Sequence, residues 1–224
     1  MEPKEIVRTG YDTLSYLYRR DDDCSPHHTR WARLLVELLR PTHGARILEL
    51  GCGCGVPVAQ TLTRAGHHLV GIDISAVQVG RARELVPKGQ FFRADITELV
   101  GGSVEGGVQD AILNSVPFDA VVALYVLIHL PVEEQAALIR HLGDWIKPGG
   151  HCMMTVGITA WTGEVKGWLG SARDTRMWWS QSSLENYRKW AKDGGFEIIR
   201  DEHVTDDVDE ESEGHQFLLL RKCM

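Results

Sequence analysis

Residues 46–55 read RILELGCGCG, a stretch whose types and spacing suit a small molecule held by backbone groups. Glycines at 51, 53 and 55 let the chain bend tightly and let a ligand lie directly against the peptide units. The helix expected over residues 58–65 would aim its positive N-terminal end at that ligand. Asp73 follows about 20 residues after the loop, at the tip of a second expected strand. In a doubly wound sheet, a carboxylate there meets the two hydroxyls of a ribose.

The elements that must position these groups alternate. Ile47, Leu48 and Leu50 form a short apolar run, expected as a strand buried on both faces of a parallel sheet. Further strands are expected over residues 68–72, 90–93, 119–124, 151–157, 196–200 and 215–221. Helices are expected over residues 4–20, 29–39, 58–65, 76–86, 132–145 and 184–192. Such alternation predicts a parallel sheet with helices on both faces. Ser75 is a natural N-cap, and Lys147-Pro148-Gly149-Gly150 is expected to end the helix before it. Residues 101–117 are glycine-rich and longer than an ordinary connection; they are expected to form a surface insertion with no readable chemistry.

A glycine loop, a helix and an acidic strand end suit any adenosine-containing cofactor. The loop's form discriminates: the dinucleotide fingerprint is GxGxxG, whereas here an acid precedes the glycines, giving Glu49-x-Gly51-x-Gly53-x-Gly55. That pattern resembles the first motif of the class I S-adenosylmethionine-dependent methyltransferases. GIDIS at 71–75, FFRADIT at 91–97, FDAVVALYVLIHLP at 118–131 and WIKPGG at 145–150 resemble the same family's successive strand-end motifs, in order. The chain is most similar to the small single-domain bacterial and fungal members that act on small molecules.

The resemblance implies an α/β fold: a three-layer, Rossmann-like, doubly wound, seven-stranded mixed sheet with the last strand antiparallel. It also implies S-adenosyl-L-methionine as cofactor and S-adenosyl-L-homocysteine as product. Glu49, Gly51, Cys52 and Gly53 would line the loop side, with Asp73 and Ile74 at the ribose. Asp95 and Ile96 would hold the adenine, and the alternative for Asp95 is that it only caps the next turn. Tyr11 and Tyr18, on a first helix closing over the cofactor, would touch its methionine end; otherwise they are amphipathic core residues.

Ligands bind outside the carboxyl ends of parallel strands, so Ala123, Leu124, Tyr125 and His129 should face the reacting end. His129, with an unperturbed pKa near working pH, is the candidate catalytic base; the competing reading is a turn residue hydrogen-bonded to backbone. His27 and His28, at the start of the second helix, fit surface or capping roles better than catalysis. Residues 159–190 hold five of the seven tryptophans. Trp161, Trp168, Trp178 and Trp179, with Tyr125, are the candidate substrate-binding residues of a lid over a flat or cationic acceptor. The alternative is a local aromatic core, to which Trp190 is assigned outright. Glu164 and Asp174 are the acids of this segment and could orient an amine.

Length and composition fit one domain over 1–224: a helical cap (1–40), a cofactor-binding core (41–157), the tryptophan-rich lid and a helix (158–192), and C-terminal strands (193–224). The chain is 43% apolar and 25% charged, ordinary for a globular protein. A net charge of −7 with no concentrated basic face argues against a nucleic-acid partner. Five cysteines, an odd number without pairing by spacing, point to a reducing cytoplasm. Cys52-x-Cys54 lacks a second pair of ligands, so no metal is expected. The apolar run 120–130 is too short to span a bilayer.

The sequence therefore points to methyl transfer onto an oxygen or nitrogen, with sulfur or carbon open, of a small specialised metabolite by a monomer or homodimer. Two alternatives stand beside it. One is a protein that binds S-adenosylmethionine without turnover; the other is a nicotinamide-dependent oxidoreductase, disfavoured by the loop and Asp95.

Overall fold

A computed structural model describes residues 1–102, 106–172, 175–205 and 213–224. Two helices open the chain, α1 (Pro3–Tyr18) and α2 (Pro26–Leu38), each with proline in its first turn, where no helical N–H is needed. The alternating region then runs β1 (Arg46–Leu50), α3 (Val58–Arg64), β2 (His68–Asp73), α4 (Ala76–Leu85), β3 (Gln90–Arg93), α5 (Ile96–Gly101) and α6 (Gly107–Ile112). It continues with β4 (Phe118–Ala123), α7 (Val132–Trp145) and β5 (Ile146–Val156). The remainder is a hairpin of β6 (Trp161–Lys166) and β7 (Arg176–Gln181), then α8 (Leu184–Asp193), β8 (Phe196–Val204) and β9 (His215–Lys222).

Seven strands form one sheet in the order β3-β2-β1-β4-β5-β9-β8. β1 to β5 pair in parallel, and β9 runs antiparallel between β5 and β8. This is the seven-stranded mixed α/β sheet expected from the sequence. Alternation along each strand sorts the two faces. Leu48, Leu50, Val121, Ala123, Cys152, Met154, Leu218 and Leu220 pack with Ile96, Leu138, Ile139 and Tyr187 of α5, α7 and α8. Ile47, Ala120, Val122, Met153, Phe217 and Leu219 pack on the other face with Trp31, Leu35, Leu62 and Val79 of α2, α3 and α4. No helix among the described residues is long and apolar enough to cross a membrane.

Four expectations are corrected. The second helix starts at Pro26, so His27 and His28 lie in its first turn. Lys147 to Gly150 do not end α7 in a loop: β5 begins at Ile146, and Gly149 at φ +78° absorbs an irregularity in the pairing with β4. Within 101–117, α6 buries Ile112 against the core. Finally, the tryptophan-rich segment is not a loop: β6 and β7 pair antiparallel from Trp161↔Gln181 to Lys166↔Arg176. Asp174 lies outside the described residues, as do residues 206–212 of the stretch 204–214, which its acidic composition marks as a solvated turn.

Candidate active site

The carboxyl ends of β1, β2 and β4 open onto a cleft that α1 closes from the other side. Its floor is the glycine loop. Gly51 has φ +65°, and a Cβ there would lie 2.5 Å from Val126 Cγ2, so only glycine fits. Gly53 has φ +52°, and a Cβ would meet nothing within 4 Å; that bare backbone faces the cleft. The loop is held from β2. Asp73 Oδ2 accepts the Gly53 N–H and Oδ1 the Ser75 N–H, each at 2.9 Å. Burial outweighs these donors and pushes the Asp73 carboxyl up to about 6. Each oxygen keeps a lone pair for a ligand.

Beneath the loop, Glu49 is buried and its Oε2 has no hydrogen-bond partner among the described residues. Burial pushes its carboxyl up to about 8, against the opposing pull of Arg19. Cys52 is packed beside Gly71, and burial drives its thiol well up.

At the far end of the cleft, Asp95 caps α5: Oδ1 accepts the Thr97 N–H and hydroxyl, each at 2.9 Å. Oδ2 meets Lys4 Nζ of α1 at 2.8 Å, and Lys4 also reaches Glu134 at 3.1 Å.

Near the tip of β4, Tyr11 and His129 are joined. Tyr11 Oη lies 2.8 Å from His129 Nε2, and His129 Nδ1 lies 2.9 Å from the Trp178 carbonyl oxygen. A carbonyl only accepts, so Nδ1 carries the proton and Nε2 accepts from the Tyr11 hydroxyl. Burial lowers the His129 pKa to about 4 and raises that of Tyr11 well above its ordinary value. Tyr125, at φ +54°, stacks on His28 with ring centroids 5.1 Å apart and meets His215 edge-on at 5.0 Å.

Of the residues singled out by sequence, Tyr11, Tyr18, Gly51, Gly53, Asp73, Ile74, Asp95, Ile96, Leu124, Tyr125 and His129 line this one cleft. Glu49, Cys52 and Ala123 are buried beside it rather than lining it. The four tryptophans do not line it. Trp168, Trp178 and Trp179 pack with Val7, Leu14 and Met177 between α1 and the hairpin, and Trp161 is 46% exposed. Glu164 is tied to Arg176 across the hairpin. Sequence reasoning missed Lys4, Val7, Gln78, Val126 and Leu130 in the lining. Lys4 and Val7 share the helical face of Tyr11, a signal that was available.

A family model described as a methyltransferase domain matches residues 18–201. The ubiquinone biosynthesis O-methyltransferase of Alkalilimnicola ehrlichii is 32% identical over 139 residues, covering 59% of this chain and 51% of that protein. The magnesium-protoporphyrin O-methyltransferase of Synechocystis is 30% identical over 170 residues, covering 70% of this chain and 65% of that one. The chain spans about half the length of the curated relatives it matches. Among solved structures, the magnesium protoporphyrin IX methyltransferase of Synechocystis with bound SAH superposes with a TM-score of 0.69 at 20% identity, covering 99% of this chain and 100% of that one. The [4+2]-cyclase SpnF superposes at 0.65, also at 20% identity, over 97% and 95%. With a family match across most of its length and the same fold in those structures, the chain belongs to the methyltransferase-domain family.

Proposed function

We propose that this chain binds S-adenosylmethionine in the cleft and transfers its methyl group to a small-molecule acceptor. The observation that carries the reading is the bare Gly53 backbone, clasped by Asp73 and open to the cleft. Asp73 and Ile74 hold the ribose in this reading, Asp95 and Ile96 the adenine, and Tyr11 and Tyr18 the methionine end. The Glu49 oxygen, buried beneath the loop without a hydrogen-bond partner among the described residues, supports the assignment in that a donor from the methionine end would relieve it. When bound, S-adenosylmethionine supplies a methyl group activated by its sulfonium charge.

The protein aligns the acceptor, excludes water and provides for any proton that the acceptor releases. His129 offers an unprotonated Nε2, but only through the Tyr11 hydroxyl. Its pKa of about 4 makes it a weak base, suited to holding Tyr11 and to acceptors that arrive already deprotonated. The relatives are named as O-methyltransferases of ubiquinone biosynthesis and of magnesium-protoporphyrin; an oxygen acceptor on a flat ring fits Tyr125, which lines the cleft and stacks on His28. Five free cysteines and a net charge of −7 support a cytoplasmic enzyme without a nucleic-acid partner.

The weak basicity of His129 is equally compatible with a second reading, binding of S-adenosylmethionine without turnover. Calorimetric titration with S-adenosylmethionine, S-adenosylhomocysteine and the nicotinamide cofactors tests the first step. Micromolar binding of the sulfur compounds alone is expected, and no binding of either overturns the reading. Release of one S-adenosylhomocysteine per product then separates transfer from binding without turnover.

A further inference from the structure

Helix α1 covers the cleft, and its contacts divide by chemistry. Its apolar side, Val7 and Leu14, packs on Met177 of β7. Gly10 permits that approach, since a Cβ there would lie 2.8 Å from both the Arg176 carbonyl oxygen and Met177 Cε. Its contacts with α4 are polar. Ser75 Oγ donates to Asp12 Oδ1 at 2.7 Å, and Ser15 Oγ to Gln78 Oε1 at 2.9 Å. The largest of these contacts belongs to Arg81.

The Arg81 side chain is only 4% exposed. Its Nη1 donates to the carbonyl and the hydroxyl oxygen of Ser15, each at 2.8 Å. Nη2 donates to the Arg19 carbonyl at 2.7 Å and to Asp21 Oδ1 at 2.5 Å, and Nε reaches the same carboxylate oxygen at 3.2 Å. The guanidinium also lies over the Tyr16 ring, 4.0 Å from its centroid. All five N–H donors are therefore engaged, the condition under which a buried guanidinium is tolerated. The last turn of α1 contains no basic residue of its own, so Arg81 brings from α4 the cation that a helix C-terminus favours.

Arg81 does not line the cleft, but the turn it grips carries Tyr18, which does. We propose that Arg81 is a positioning residue of the site: it fixes the end of α1 to α4 and thereby sets Tyr18 over the glycine loop. This rests on the cofactor reading above. Lysine at 81 would keep the charge but cannot span two carbonyls and a carboxylate with one planar fork.

The test measures S-adenosylhomocysteine affinity by calorimetry in the wild type, R81A, R81K and D21N, with thermal unfolding and amide hydrogen exchange of each ligand-free protein. R81A is expected to bind about tenfold or more weakly, R81K to fall between it and the wild type, and exchange at residues 14–19 to quicken while β1 to β5 keep theirs. Wild-type affinity in R81A overturns the proposal. If R81A fails to fold, unchanged affinity in both R81K and D21N overturns it. If the wild type itself binds no S-adenosylhomocysteine, the cofactor reading falls, and Arg81 is judged by exchange alone: unchanged protection at 14–19 in the variants overturns it.

Discussion

The two walls of the cleft are made of different material. On the β1–β2 side the surface is backbone: Gly51 and Gly53 present peptide groups, and the side chains behind them, Asp73 and Glu49, are buried carboxyls whose affinity for protons is raised by burial. On the α1 side the surface is side chains: Lys4, Val7, Tyr11 and Tyr18, backed by a tryptophan-rich hairpin and tethered to α4 through Arg81. His129, hydrogen-bonded to Tyr11 on this side, has its pKa lowered to about 4 by burial, whereas burial raises that of Tyr11. The contrast teaches that one wall is set by a turn that only glycine backbone permits, and the other by where α1 is held against α4 and the hairpin.

The strongest way to break the backbone wall is Gly51→Ala. The left-handed conformation costs an L residue about 1–2 kcal/mol, and the clash with Val126 adds roughly 1–3 kcal/mol of overpacking. A loss of about 2–5 kcal/mol is therefore expected in chemical denaturation. A loss below 1 kcal/mol would mean that the loop yields easily. Next is Asp73→Ala, which removes both loop bonds and the ligand acceptor; S-adenosylhomocysteine should bind weaker by about 1–3 kcal/mol. Unchanged affinity would show that the ribose lies elsewhere.

The backbone wall was also the legible one. ExGxGxG and an acid after the second strand are tied to φ angles and strand ends, which local sequence dictates, so the loop and the strand tip at Asp73 followed from residue types, and the mixed sheet from the family resemblance. The hairpin did not. Gly163 breaks the side-chain pattern of β6, and with α1 covering part of β7 the pattern RMWWSQ shows no clean alternation of apolar and polar residues. Nor could sequence decide that Trp168 and Trp179 face α1 rather than the cleft. Tyr11 and His129 were each singled out, but their hydrogen bond joins residues 118 apart, and no local rule predicts such a pair.

Glu49 and His129, shifted in opposite directions by burial, give a pH signature. Glu49 at about 8, against an ordinary 4.5, means that the folded chain binds the extra proton between those values, so its stabilising contribution is lost as pH rises toward 8. His129 acts the other way: with a folded value of about 4 against 6.5, stability is lost as pH falls through that window. The two oppose below pH 6.5, and Glu49 acts without His129 above it. Raising pH from 6.5 to 8 should therefore lower stability by up to about 2 kcal/mol in thermal unfolding, at 1.36 kcal/mol per unit. Glu49→Gln should flatten that slope; if the slope persists, another group causes it. On the opposite wall, His129→Ala frees the Tyr11 hydroxyl. Once an acceptor is known, turnover should fall about tenfold, or ~1.4 kcal/mol, with S-adenosylhomocysteine affinity within about twofold. An unchanged rate would remove His129 from the reacting end.

The smallest effect sharpens the comparison from the outside. If the hairpin matters because it braces α1, only the tryptophans on the α1 side should be sensitive. Trp161 is 46% exposed and belongs to neither the cleft lining nor the aromatic cluster on α1. Trp161→Ala should thus change stability by no more than about 0.5 kcal/mol, as exposed substitutions do, and leave turnover unaltered. Trp168→Ala, which removes the ring packed 6.1 Å from Tyr11 and 5.6 Å from Tyr18, should weaken S-adenosylhomocysteine binding without touching the cleft. If Trp161 proves the more sensitive of the two, the acceptor lies on the outer face of the hairpin, and the bracing role assigned to its inner face is wrong.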